Sequence, residues 1–270
     1  MARRVQRILI LAAGLAAILP AAGDPQGEAL LREADEAVRA NRREAAFFIY
    51  QERVTEREIA WDGRVKESRA TGYEVVFLEG ESYHKRTMLN GRPLAGDALE
   101  EEERRMRAVA DFRRSTPVEE RRRRLATAER TRLRFDPRVM AENHLARFER
   151  EEECPEGPCV VISVWPKPGT RRPRNPSEWS MSLRGHLWLD AATRHPLRAE
   201  MEQAYEYYGQ AAGTRTRFRW TRVDGVWLIA SIVSRTEERS RQVAVREMVQ
   251  EYSNYQRFQA ESVLVFHDEP

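Results

Sequence analysis

Lysine is almost missing from this chain: only Lys66, Lys85 and Lys167 occur among its 46 basic residues, the rest being arginine. Such a bias can follow from codon composition, so it is no phosphate-binding signal by itself. There are two cysteines, and they do not form a C-x-x-C redox motif. The chain contains no P-loop, no dinucleotide fingerprint and no G-x-S-x-G elbow, which excludes the common nucleotide-binding and serine-hydrolase layouts. Five histidines, His84, His144, His186, His195 and His267, include no pair at metal-ligand spacing. Asp190 and His195 flank one turn, with Ser180 and Ser182 nearby in sequence, but a turn Asp and a surface His are common without chemistry. No internal repeat and no linker is visible. The expectation is a non-enzyme with no cofactor and no metal.

The N-terminus is distinctive. Arg3, Arg4 and Arg7 precede an apolar run from Ile8 to Leu19; Pro20 and Ala21-Ala22-Gly23 follow, with no acid before Asp24. This is the order of a secretory signal, and the run is short of the roughly 20 residues of a membrane span. Residues 1–23 are therefore expected to be cleaved, leaving a soluble periplasmic chain that begins near Asp24. No Cys follows the run to accept a lipid. The whole chain has 46 basic and 43 acidic residues; removing the three signal arginines leaves 43 of each. A near-neutral mature chain gives no electrostatic basis for binding nucleic acid.

Cys154-Pro155-Glu156-Gly157-Pro158-Cys159 is a turn between strand-like segments. Cysteines at the closing positions of such a hairpin lie at disulfide distance, and an exported chain permits the bond.

Along the rest of the chain the hydrophobic period changes twice. Asp24-Pro25 is a capped helix start, and Leu30, Leu31, Ala34, Ala37 and Val38 recur at helical spacing. Residues 45–60, 65–78 and 82–89 then read as a strand meander, with an Asp62-Gly63 hairpin signal. From about 97 to 143 the pattern is helical and charged, a solvated insert docked by one thin apolar stripe, or a basic surface for anionic head groups. Strand patterns resume from Leu145. Val160–Trp165 is a continuous apolar run, as in a strand buried on both faces. In the next long strand Leu197, Ala199, Met201, Tyr205 and Tyr207 alternate with polar residues. The loop from 166 to 177 is rich in Pro and Arg; Arg171, Arg172 and Arg174 are its candidates for contact with lipid head groups. The sum is an α+β fold, mainly antiparallel β: a curved half-barrel of about ten strands with an N-terminal helix and a central helical cover, in a single domain over 24–270.

Three motifs point further. Gly185-His186-Leu187-Trp188-Leu189-Asp190, then Ala192-Thr193 and Pro196-Leu197-Arg198-Ala199-Glu200, resemble the outer-membrane lipoprotein-sorting family, the LolA and LolB carriers and their relatives. Asp224-Gly225-Val226-Trp227-Leu228 and the stretch Tyr252–Phe258 resemble that family's late hairpin and final strand. The likeness covers residues 145–258 best. It implies a half-barrel whose apolar cavity takes acyl chains, so the expected ligand is a lipoprotein acyl chain or another lipid-like molecule. The alternative is a sensor or scaffold that holds a protein partner, or a membrane surface, on the curved sheet. The charged insert and the missing lipidated Cys depart from the family pattern. The candidate cavity residues are Tyr73, Val75, Phe77, Leu197, Met201, Tyr205, Tyr207, Phe218 and Trp220, apolar positions of three strand faces that a half-barrel gathers on its concave side.

Overall fold

The computed structural model describes residues 23–132, 137–174, 176–207, 210–238 and 242–258; residues 1–22, almost the whole of the expected signal segment, lie outside them. Helix α1 (Pro25–Ala45) starts where Asp24 caps it: the Gly27 amide donates to Asp24 Oδ1 at 2.7 Å, and proline occupies the first turn. The other carboxylate oxygen of Asp24 accepts the Phe148 amide at 2.9 Å, and the Asp24 amide donates to Ala146 O at 2.9 Å. One residue thus caps the helix and ties it to strand β5 (His144–Cys154) at the edge of the sheet. The approach is close: a Cβ on Gly27 would sit 2.6 Å from Arg147 Cα, so only glycine fits.

Among the described residues, eleven strands form one antiparallel sheet in the order β4-β3-β2-β1-β11-β10-β9-β8-β7-β6-β5. The first meander runs outward through β1 (Phe48–Ile59), β2 (Val65–Leu78), β3 (Glu81–Leu89) and the two-residue β4 (Arg92–Pro93). Three helices follow, α2 (Asp97–Ser115), α3 (Val118–Arg132) and α4 (Pro137–Asn143). The chain re-enters at the opposite edge and walks back through β5, β6 (Gly157–Pro166), β7 (Leu183–Asp190), β8 (Pro196–Gln203), β9 (Arg215–Val223), β10 (Val226–Glu237) and β11 (Val245–Arg257). β11 then zips onto β1, joining the two meanders. The sheet is curved and open, its edges β4 and β5 unpaired with each other: a half-barrel, one strand richer than expected because of the short β4.

α1 and α4 cover the inner face. Leu30, Leu31 and Ala34 of α1 and Met140 of α4 pack on Ile162, Leu187, Ala199 and Phe218. The alternate residues of β6, Cys159 and Val161, join Trp188, Leu197 and Trp227 in a second cluster. β6 is therefore buried on both faces, as its unbroken apolar run requires. The Arg198 guanidinium lies 3.7 Å from the centre of the Trp188 ring and helps close this second cluster. Gly185 explains its place in the strand: a Cβ there would be 2.0 Å from Glu200 O across the β7–β8 ladder. Cys154 and Cys159 are disulfide-bonded across the β5–β6 hairpin.

The charged helices divide their work. α2 lays Ala110, Met106 and Val109 on Leu78, Val76 and Tyr83, which alternate along their strands with Val75, Phe77 and His84 and so belong to the opposite face. Its side chains also satisfy the free edge of β3: Glu102 accepts the Arg86 amide, Arg105 donates to His84 O, and Arg113 donates to Ser82 O. A polar helix thereby closes an edge that would otherwise offer unpaired backbone groups. None of the described helices is long and apolar enough to cross a membrane.

Candidate functional site

A cleft of about 410 Å³ lies between the C-terminal half of α1 and the inner face of β1, β2, β3, β9, β10 and β11. Its origin is a split in the sheet. The β10–β11 ladder runs only from Ser231 to Glu237, so the first residues of β10, from Val226 to Ala230, have no strand partner on that side. Side chains replace the missing ladder. Asn41 of α1 accepts the Trp227 amide at 2.8 Å and donates to Trp227 O at 2.7 Å. The Tyr255 hydroxyl donates to Ile229 O, and burial raises its pKa. The Asn41 bonds hold α1 above the split without filling it, and the Tyr255 bond ties β11 to β10 across it. A more charged depression of about 800 Å³ shares Trp220, Trp227 and Tyr252 with the cleft but is otherwise lined by groups such as Arg53, Arg219 and Glu251.

The cleft walls are mostly apolar and aromatic. Tyr50 contacts both Tyr252 and Tyr255, with ring centroids 5.8 and 5.3 Å apart. Phe48, Val75, Phe218, Leu228 and Ile232 add apolar surface. At the inner end His195 stacks on Trp227 at 5.6 Å, and its Nδ1 lies 2.9 Å from Pro196 O. Burial pushes the His195 pKa down to about 4, so the ring is neutral at pH 7. At the other end a polar group interrupts the lining: Glu52 accepts Gln250 Nε2 at 3.0 Å and lies 3.3 Å from His84 Nδ1.

Of the residues expected to line a cavity, Val75, Phe77, Phe218 and Trp220 do face this cleft. Tyr73 lies one inward-facing position along β2 from Val75, edge-on to His84 with ring centroids 6.1 Å apart. Met201 is packed in the main core and Leu197 in the second cluster. Leu197 departs from the alternation because the β7–β8 register shifts between Trp188 and Leu189, which leaves it as the extra residue of a bulge. Tyr205 and Tyr207 fall outside β8, which ends at Gln203; there the Gln203 side chain bonds Ser182 Oγ at 2.8 Å and the chain turns away. Their apolar alternation therefore continues a strand that the backbone has already left.

The arginine loop is tied down. Arg171 donates two 2.7 Å bonds to Glu178, whose carboxyl is held at about 2, chiefly by that guanidinium. Arg172 lies 5.4 Å over the Tyr205 ring, and the Arg174 amide donates to Glu178. The triad-like residues do not assemble. Ser182 ends the 3-10 turn just before β7 and donates to Trp179 O, Asp190 closes β7 and accepts from Thr193, and His195 Nδ1 is engaged by the backbone. Glu152 comes near Cys154 and Cys159, but the two sulfurs are bonded to each other and so are not free thiolates.

Several lining residues escaped sequence reasoning: Val38, Asn41 and Ala45 of α1, Tyr50 and Glu52 of β1, and Tyr252 and Tyr255 of β11. The i, i+2 spacing of Phe48, Tyr50 and Glu52 was a usable signal for one inward face. Nothing local marks Asn41 as a substitute for a strand.

No protein-family model matches the chain, and neither does any curated protein. Solved structures do. An outer-membrane lipoprotein-sorting protein domain from Vibrio parahaemolyticus is 12% identical, with a TM-score of 0.39 over 87% of this chain and 95% of that one. A DUF1329 family protein from Desulfovibrio piger is 14% identical, with a TM-score of 0.36 over 87% of this chain and 95% of that one. The chain is likewise similar to a LolA superfamily protein from Nitrosomonas europaea, at 13% identity and a TM-score of 0.35 over 86% of this chain and 93% of that one.

Proposed function

We propose that this protein is a non-catalytic periplasmic carrier that holds an acyl chain, of a lipoprotein or another lipid-like molecule, in the cleft beneath α1. The observation that carries the reading is the split between β10 and β11, roofed by α1 and lined by apolar and aromatic side chains. Its volume of about 410 Å³ falls in the range of small-molecule sites, roughly 300–1,000 Å³. At about 0.8 kcal/mol per buried methylene, a chain of a dozen carbons gains on the order of 9 kcal/mol before ordering costs, enough to make micromolar binding reachable. The signal-like N-terminus supports export of a single-domain chain beginning near Asp24. N-terminal sequencing of exported material checks this, and Met1 retained in a membrane fraction contradicts it.

The test of the carrier reading is uptake of N-phenyl-1-naphthylamine, an uncharged probe that fluoresces in apolar sites. Wild-type protein is expected to take it up. Val38→Trp, which adds a ring from α1 into the cleft, should cut uptake roughly tenfold with little change in melting temperature. No uptake by the wild type refutes the carrier reading and leaves a protein partner on the curved sheet as the better one.

A further inference from the structure

The apolar cleft contains one carboxylate, and its placement is specific. Glu52 is 8% exposed, on β1, between Tyr73 and Tyr252 in the two flanking strands. Burying a carboxylate costs free energy unless donors surround it. Glu52 has Gln250 Nε2 at 3.0 Å on one oxygen and His84 Nδ1 at 3.3 Å from the other. A carboxylate has about four acceptor sites, so one bonded donor and one nearby ring nitrogen leave capacity for more. The His84 side chain is 47% exposed, which puts this polar end beside the mouth of the cleft, away from the buried His195 and Trp227. Arg42, the arginine of the lining, is already engaged.

We propose, building on the carrier reading, that the cleft selects amphiphiles whose head group donates hydrogen bonds and carries no negative charge, with Glu52 as the acceptor. The tail lies inward along Phe218 and Ile232; the head rests at Glu52. An ammonium head suits the position best, because aromatic rings flank the carboxylate and a cation is attracted to both. An anionic head meets a carboxylate of like charge in a partly desolvated place.

Equal-length ligands isolate the head group, since the tail contribution cancels. With N-phenyl-1-naphthylamine bound, dodecylamine, dodecanol and dodecanoate are titrated as displacers. Dodecylamine is expected to displace the probe at roughly tenfold lower concentration than dodecanoate, with dodecanol between, as befits one charge-assisted hydrogen bond. Glu52→Gln should bring the three together, and His84→Ala, at an exposed position, should keep or widen the preference for the amine. Equal or better displacement by dodecanoate in the wild type overturns the proposal. So does an amine preference that survives Glu52→Gln, or one that His84→Ala abolishes. If the probe is not taken up at all, the carrier reading and this inference fail together; if it is taken up without head-group discrimination, only the inference fails.

Discussion

The covered and the split halves of the sheet use the same kind of strand to different ends. Over β5 to β8 the strands stay paired along their length, apart from two bulges, and α1 and α4 pack on the inner face, so Ile162, Leu187 and Ala199 are fully buried. Over β1, β2 and β11 the inner residues also alternate and are more aromatic, yet Tyr50, Phe77 and Tyr252 stay half-buried. The differences are the interrupted β10–β11 ladder and the stand-off of α1 on Asn41. Whether an apolar strand face becomes core or pocket is decided by what lies across from it.

Core truncation should separate the halves most strongly. Leu187→Ala is expected to cost about 2–5 kcal/mol in urea denaturation, because the dry core cannot close over the gap. Phe77→Ala, at the cleft wall, should cost about 1–2 kcal/mol, since less surface is removed from contact. Equal costs would erase the distinction.

Acid should act on both halves. His144 lies in the covered half with Nε2 2.8 Å from Leu183 O, and burial lowers its pKa from 6.5 to about 4; His195 at the cleft is lowered to about 4 by the same cause. A depressed histidine pKa means that the unfolded chain binds protons first as pH falls. The stability these residues contribute is full above about 6.5 and declines toward about 4. Melting temperature measured from pH 7 to 4 should fall accordingly, and His144→Gln should flatten part of the slope. An unchanged slope would mean that other groups set the acid limit.

The Cys154–Cys159 hairpin lies on the covered side and closes a short loop. Replacing both cysteines with serine should cost roughly 2 kcal/mol by loop entropy, measured by chemical denaturation, and leave probe uptake unchanged. The smallest effect is expected at the surface. Arg171→Ala should shift the melting temperature by roughly a degree or less. Because Glu178 is held low by this partner, the shift should be present near neutral pH and vanish as pH falls through about 2.

The sequence by itself determined the elements. Asp24-Pro25 marks the start of α1, the unbroken apolar run of β6 marks a strand buried twice, and the turn between two cysteines marks the disulfide hairpin; each is a local rule of capping, alternation or loop chemistry. The motif around Gly185 and the long alternation of β8 also carried enough to anticipate a curved antiparallel half-barrel. The strand count was one short, because a two-residue bridge such as β4 has no period to read. The site was legible only in part. Val75, Phe77, Phe218 and Trp220 follow from alternation, but alternation does not say which inward residues a helix will cover. Met201 and Ala199 went to the core because α1 and α4 lie over β8, and Leu197 changed cluster through a register shift that involves two strands at once. Glu52 became a cleft residue only because β11 and β3 bring Gln250 and His84 to it from far along the chain. Those contacts are long-range, and the split between β10 and β11 that opens the cleft exists in neither strand alone; tertiary pairing decided it, by ending a ladder early and setting one helix side chain in its place.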